Sequence, residues 1–197
     1  MVDISYNLCM SIIERNFMSY FVYVDNSNVF IEGKRVSAVR RGLVKDIRDA
    51  MNQKIIDNTY RLDFGNLYRF TAGNEPTKIK RALLFGSRPP ENDSVWQLAR
   101  IAGFEVIVFD RNVANKEKKV DTSLSIEMMR DAYKKMNIDE DVITLVAGDA
   151  DFVPVVKTLR EDGYKVDLFF WNHASRELKD ACDRFFPLDS HLDYLSC

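Results

Sequence analysis

The sequence predicts a three-layer α/β/α sandwich around a mostly parallel five-stranded sheet, and three observations carry that prediction. Five short runs of apolar, β-branched or aromatic residues lie at 21–24, 79–85, 104–109, 142–147 and 164–170. Stretches with helical spacing of apolar residues separate them. The run at 142–147 is almost continuously apolar, as a strand covered on both faces should be.

Taken in order, residues 1–19 space Ile4, Leu8, Ile12 and Ile13 as a short helical extension before a single domain over 20–190. The first strand stops at Asp25-Asn26-Ser27-Asn28, whose short polar side chains read as a turn, with Gly33 in the loop that follows. Val36, Val39, Leu43, Ile47 and Met51 then recur at three- and four-residue steps, predicting one amphipathic helix whose other face carries Arg40, Arg41, Lys45 and Arg48. Gly42 inside it costs roughly 1 kcal/mol relative to Ala. Asp63 is placed to cap a short helix through Phe70. Gly86, Pro89 and Pro90 close the second strand, and Asp93 or Ser94 opens a helix with Val95, Leu98 and Ile101 inward. After the third strand comes a polar loop, and a helix is expected from Asp121 to about Met136. Gly148-Asp149-Ala150-Asp151 turns the chain after the fourth strand. The next helix tolerates Pro154 because first-turn amides have no intrahelical acceptor. A last helix spans about 175–182, and Phe185, Phe186 and Leu188 return to the core.

Composition bounds the function more loosely. At 197 residues the chain can bury a sizeable single core. The formal net charge of −2 points to neither a nucleic acid nor a membrane surface, although Arg40, Arg41 and Lys116–Lys119 concentrate positive charge locally. Three cysteines and two histidines offer neither a disulfide framework nor zinc-ligand spacing. No apolar run is long enough for a membrane helix and the first residues lack a signal-peptide pattern, so an intracellular, cytoplasmic location is expected.

Acids gather at strand ends and helix starts. Asp25 follows the first strand, Asp121 begins a predicted helix, and Asp149 and Asp151 follow the fourth strand. If the first and fourth strands are neighbours, these carboxylates converge. At about 4 Å two like charges repel by roughly 4 kcal/mol at an effective dielectric near 20, so such a cluster holds protons or binds cations. Oxygen ligands, with Asn28 and water completing the shell, suit Mg²⁺ or Mn²⁺. The same acids also stand where turns and N-caps belong, and spacing leaves both readings open. No G-x-G-x-x-G follows the first strand and no Walker A sequence occurs.

The segments YVDNSN (23–28), KKVDTSLSIE (118–127), ITLVAGDADFVPVVKTLREDGYKVDLF (143–169) and SRELKDACDRF (175–185) resemble the NYN domain, a branch of the PIN-like nucleases that includes the bacterial LabA-like proteins. The resemblance implies strand order 3-2-1-4-5 and an Mg²⁺- or Mn²⁺-dependent ribonuclease. Asp25, Asp121, Asp149 and Asp151 would be its metal-binding acids and Asn28 its strand-end asparagine. Lys118 or Lys119 would meet the RNA backbone at the mouth of the site, and Ser175 matches the polar residue after the fifth strand. Glu127 and Asp183 would support the ligands from behind. Arg40 and Arg41 are read as further contacts to single-stranded RNA. A homodimer would use the N-terminal segment or an exposed sheet edge. Two other readings stay open: an RNA-binding or scaffold module with a vestigial acidic site, and a Mg²⁺-dependent phosphatase.

Overall fold

The computed structural model describes residues 18–72, 74–88, 94–110 and 116–197, excepting the side chains of residues 88, 110 and 116–118. The expected helix within 1–19 therefore lies outside the described residues, apart from its last two.

The sheet is parallel throughout, but it has six strands where five were predicted. In chain order they are β1 (Ser19–Asp25), β2 (Ile79–Arg88), β3 (Glu105–Asp110), β4 (Asp141–Val146), β5 (Lys165–Phe170) and β6 (Arg184–Pro187), arranged 3-2-1-4-5-6. The additional strand is the segment holding Phe185 and Phe186. Its four residues pair with β5, and Arg184 donates to both carboxylate oxygens of Asp167 on that neighbour at 2.8 and 2.6 Å. Helices lie on both faces: α1 (Asn26–Arg40), α2 (Ile47–Gln53), α3 (Phe64–Phe70), α4 (Ser94–Ala102), α5 (Lys116–Lys135), α6 (Val153–Glu161) and α7 (Arg176–Ala181).

Strand alternation divides the apolar residues into two cores. In β1, Val22 and Val24 point into one core, with Trp171 and Phe170, while Phe21 and Tyr23 point into the other, with Leu124, Met128 and Phe152. Full burial of each large side chain is worth roughly 1.5–3 kcal/mol, which is why β1, buried along nearly its whole length, anchors the sheet.

Helices α1, α2 and α4 differ from expectation in where they start or which side they bury. The first begins directly at Asn26, because the Asp25 carboxylate accepts the Asn28 N–H at 3.1 Å and caps it. Gly33 thus sits in mid-helix, where a β-carbon would stand 2.8 Å from the Trp171 ring and 2.9 Å from that of Tyr60. The predicted continuous helix through Met51 is broken: Gly42 adopts φ +70°, and α2 starts anew behind its own cap, Asp46. Leu43 and Met51, read as inward, are about half exposed. In α4 the inward residues are Trp96 and Ala99, whereas Val95, Leu98 and Ile101 face out. The Trp96 ring fills the space over Gly86, so one bulky residue replaces the expected stripe.

Asp57 staples the end of α1 to the loop beyond α2. Its buried carboxylate accepts from Ser37 Oγ at 2.7 Å, Thr59 Oγ1 at 2.7 Å, the Thr59 N–H at 2.8 Å and Arg41 Nη1 at 2.9 Å. The Ser37 hydrogen bond, followed by those of Thr59 and Arg41, outweighs the cost of burial and holds this group well below the usual carboxylate range. A depressed folded-state value means that its stabilisation is complete above the unfolded aspartate value of about 3.9 and is lost as pH falls below it. Asp57→Asn should therefore lower stability at pH 7 by roughly 1–3 kcal/mol and flatten the stability-versus-pH curve below pH 4. Urea titrations from pH 2 to 7 would show both effects.

Among the described residues, no helix is long and apolar enough to cross a membrane.

Candidate functional site

Register brings the strand-end acids together. Val24 of β1 pairs with Val146 of β4, so Asp25 ends its strand alongside the point where the chain leaves β4 through Gly148 to Asp149. This is the carboxyl end of a parallel sheet, where open α/β folds bind ligands. A cavity of about 410 Å³ lies there, lined by Asp25, Asn28, Asp121, Asp149 and Asp151 together with Glu32 and Arg35.

Each acid is held by a different device. Asp25 is buried and caps α1, so the cap and site readings describe the same side chain. Its carboxylate also sits at the positive end of that helix dipole. Asp149 is exposed and accepts the Asp151 N–H at 3.2 Å, shaping the single turn that precedes α6. Asp121 is not the start of its helix. It lies well inside α5, an intrinsically unfavourable place for aspartate, on the face that meets the cavity.

Asn28 lines the cavity and also makes a bond that its spacing did not announce. Its Oδ1 accepts the Gly148 N–H at 2.7 Å, tying the turn that bears Asp149 and Asp151 to the first turn of α1. The Gly148 carbonyl in turn accepts the Ser175 N–H at 2.9 Å. A β-carbon on Gly148 would come within 2.1 Å of the Phe170 ring, so the turn is packed as well as bonded. Asn28 thus positions two acids through the backbone. Asn28→Ala should weaken Mn²⁺ binding or turnover roughly 10–100-fold with unchanged circular dichroism, measurable as a shift in the Mn²⁺ dependence of cleavage.

The remaining predicted residues scatter. Ser175 caps α7, its hydroxyl 3.5 Å from the Leu178 N–H, and does not line the cavity. Glu127 is engaged by Arg81 at 3.3 Å and by Arg130. It stands about 9 Å along α5 from Asp121, too far down the sheet to support the ligands. Asp183 accepts the Val166 N–H and Arg160 Nη2, both at 2.7 Å, near the opposite end of β5. Arg41 is committed to Asp57 and Thr59, while Arg40 ends α1, about 18 Å from Asn28. Lys119 is exposed and does not line the cavity; the Lys118 side chain lies outside the described residues.

Glu32 and Arg35 were missed. They follow Asn28 by four and seven residues, one face of α1, a signal hidden when the helix is begun at residue 36. Glu32 contacts Arg35 and also His173 Nε2 at 2.8 Å. Arg35 lines the same cavity, and its Nε is buried with no hydrogen-bond partner among the described residues.

The model of the NYN domain matches residues 20–189. The chain belongs to the NYN domain family. NYN domains are PIN-like nucleases, so the fold and the general class of chemistry follow together. This NYN domain is also similar in fold to a crystal structure of a protein of unknown function, VPA0982, from Vibrio parahaemolyticus RIMD 2210633. The TM-score is 0.63 at 18% identity, covering 91% of this chain and 96% of that one. Among curated proteins none matches.

PIN-like nucleases usually use divalent metal ions. The lining here fits such an ion chemically, being rich in carboxylate oxygen and free of histidine and cysteine. Among the described residues, however, no three acidic, histidine or cysteine side chains stand close enough to hold a metal. Like charges keep apart unless a cation neutralises them, and a cavity this size also admits the waters that Mg²⁺ retains.

Proposed function

We propose that this NYN domain hydrolyses phosphodiester bonds of single-stranded RNA with the aid of Mg²⁺ or Mn²⁺. The observation that carries the reading is the convergence of Asp25, Asp121, Asp149 and Asp151, from three separated parts of the chain, on one cavity that also contains Arg35. Asp25, Asp149 and Asp151 would hold the cation, with Asp121 acting directly or through water. When bound, the ion makes a water nucleophilic at neutral pH and offsets charge on the phosphoryl oxygens. Arg35 would offer a planar guanidinium suited to a phosphate oxygen, and Glu32, which lines the same cavity, pairs with it. Asn28 keeps the Asp149–Asp151 turn in register with Asp25.

The test is cleavage of single-stranded RNA, duplex RNA, single-stranded DNA and a small phosphoester, each with Mg²⁺, Mn²⁺ or EDTA. Metal-dependent cutting that favours single-stranded RNA supports the proposal. Turnover of the small phosphoester alone would replace it with a phosphatase. The Arg35 guanidinium in the same cavity is compatible with one second reading, a module that binds RNA without cutting it. Binding without cleavage under every metal would establish that reading instead.

A further inference from the structure

A second cavity, of about 400 Å³, opens between α1 and the segments that follow β5 and β6. Its walls are aliphatic: Val36 and Val39 from α1, Ile47 from α2 and Leu192 near the C-terminus. Asn172, Asp189 and Arg40 add an amide, a carboxylate and a guanidinium. An apolar slot of this volume with a few polar groups is typical of a small organic ligand site. Asp189 Oδ2 accepts the Asn172 N–H at 2.6 Å, which holds these two segments together.

The Glu32–His173 pair stands between the two cavities. Glu32 lines the acidic one, His173 lines the apolar one, and the two side chains meet at 2.8 Å. Asn28, Glu32, Val36 and Arg40 recur every four residues, forming one ridge of α1 about 18 Å long. That ridge runs from the acids, past the apolar slot, to a guanidinium. Arg40 is bonded at 3.0 Å to Asp193, but both side chains are largely exposed, and a phosphate can exchange with such a screened partner.

We infer that the slot holds one unpaired nucleobase of the RNA strand whose backbone lies in the acidic cavity. This rests on the proposed RNA substrate and adds to it a base subsite. The occupant follows from the Glu32–His173 contact that links the linings of the two cavities, from a slot that offers aliphatic walls, the His173 ring and polar edge groups, and from Arg40 at the far end of the ridge for a phosphate further along the strand. Single-stranded recognition commonly takes this form: a base lifted out of the stack, its face on an aromatic ring or a guanidinium plane, such as His173 and Arg40 offer here, and its edge on polar groups. Binding contributions of this kind are read as base-dependence, whereas phosphate contacts are base-independent.

The experiment uses the full chain with Ca²⁺ in place of Mg²⁺ or Mn²⁺, so that charge in the acidic cavity is offset, and with strand integrity checked after each titration. Fluorescence anisotropy compares a mixed-sequence RNA octamer with an abasic octamer of the same backbone. The unmodified protein should bind the base-bearing strand at least about tenfold more tightly. Filling the slot with Val39→Phe, or independently with Ile47→Phe, should bring that strand to the abasic level and leave abasic binding unchanged. Equal affinity of the unmodified protein for both strands would overturn the inference, as would either correctly folded variant retaining full discrimination. Cleavage with Mg²⁺ or Mn²⁺ but no base-dependence would overturn the subsite and leave the nuclease standing. Base-dependent, slot-sensitive binding without cleavage would do the reverse.

Discussion

Asp25→Asn is expected to reduce metal-dependent RNA cleavage by about a thousandfold or more while leaving the protein folded. The two halves of that expectation have separate causes. Asparagine caps a helix about as well as aspartate, so the bond from the Asn28 N–H, now 3.1 Å from the carboxylate, has an acceptor of similar shape. What disappears is the charge, at the most buried of the acids that line the cavity and at the point where β1, α1 and the Gly148 turn meet. Single-turnover cleavage with Mn²⁺, run beside a thermal melt of each protein, separates a lost site from a lost fold. An activity within a few-fold of the parent would remove Asp25 from the mechanism.

The largest effect on stability is expected at the other end of the sheet. Asp131, fully buried on α5, accepts from Arg81 Nη1 at 2.5 Å and from Tyr23 Oη at 2.9 Å, and Lys135 pairs with it at 2.8 Å. Burial alone would raise its pKa, but the hydrogen bonds from Lys135, Arg81 and Tyr23 together hold it below the usual range. Arg81 is itself only 18% exposed and also serves Glu105 and Glu127. Asp131→Ala leaves the Tyr23 hydroxyl and part of the Arg81 charge without partners, costing about 3 kcal/mol. For a chain of this length that is roughly 6–12 °C in melting temperature. Because Arg81 lies level with Phe21, four residues before Asp25, the folded variant should keep its turnover per molecule. Differential scanning calorimetry and a cleavage assay below the melt check both parts.

These two sites show what the sequence could and could not convey. The five long strands were legible because each is a run of β-branched or aromatic residues, and the acids were legible because strand ends are few. The first helix was not. Its buried positions are Asn26, Val29, Gly33, Ser37 and Ala38, small or polar side chains that yield no apolar period, while Gly33 makes room for Trp171. Beginning the helix too late hid Glu32 and Arg35, and the stripe through Leu43 and Met51 ran across a real break at Gly42. Glu127 was misplaced for a different reason. Its partner, Arg81, comes from a strand 46 residues earlier, and no local spacing reports such a contact. Trp171, the ring that Gly33 admits, is fully buried and donates its indole N–H to the Val29 carbonyl at 2.9 Å.

Metal-dependent cleavage requires the acids around the cavity to take up a divalent cation as a group. Mn²⁺ titration followed by electron paramagnetic resonance measures this directly, on the unmodified protein beside Asp25→Asn and Asp149→Asn. Saturable binding of one or two ions per chain is expected, displaced by Mg²⁺ and weakened at least about tenfold by either substitution. Unmodified protein that leaves Mn²⁺ free in solution, or variants that bind it as tightly as the parent, would contradict it.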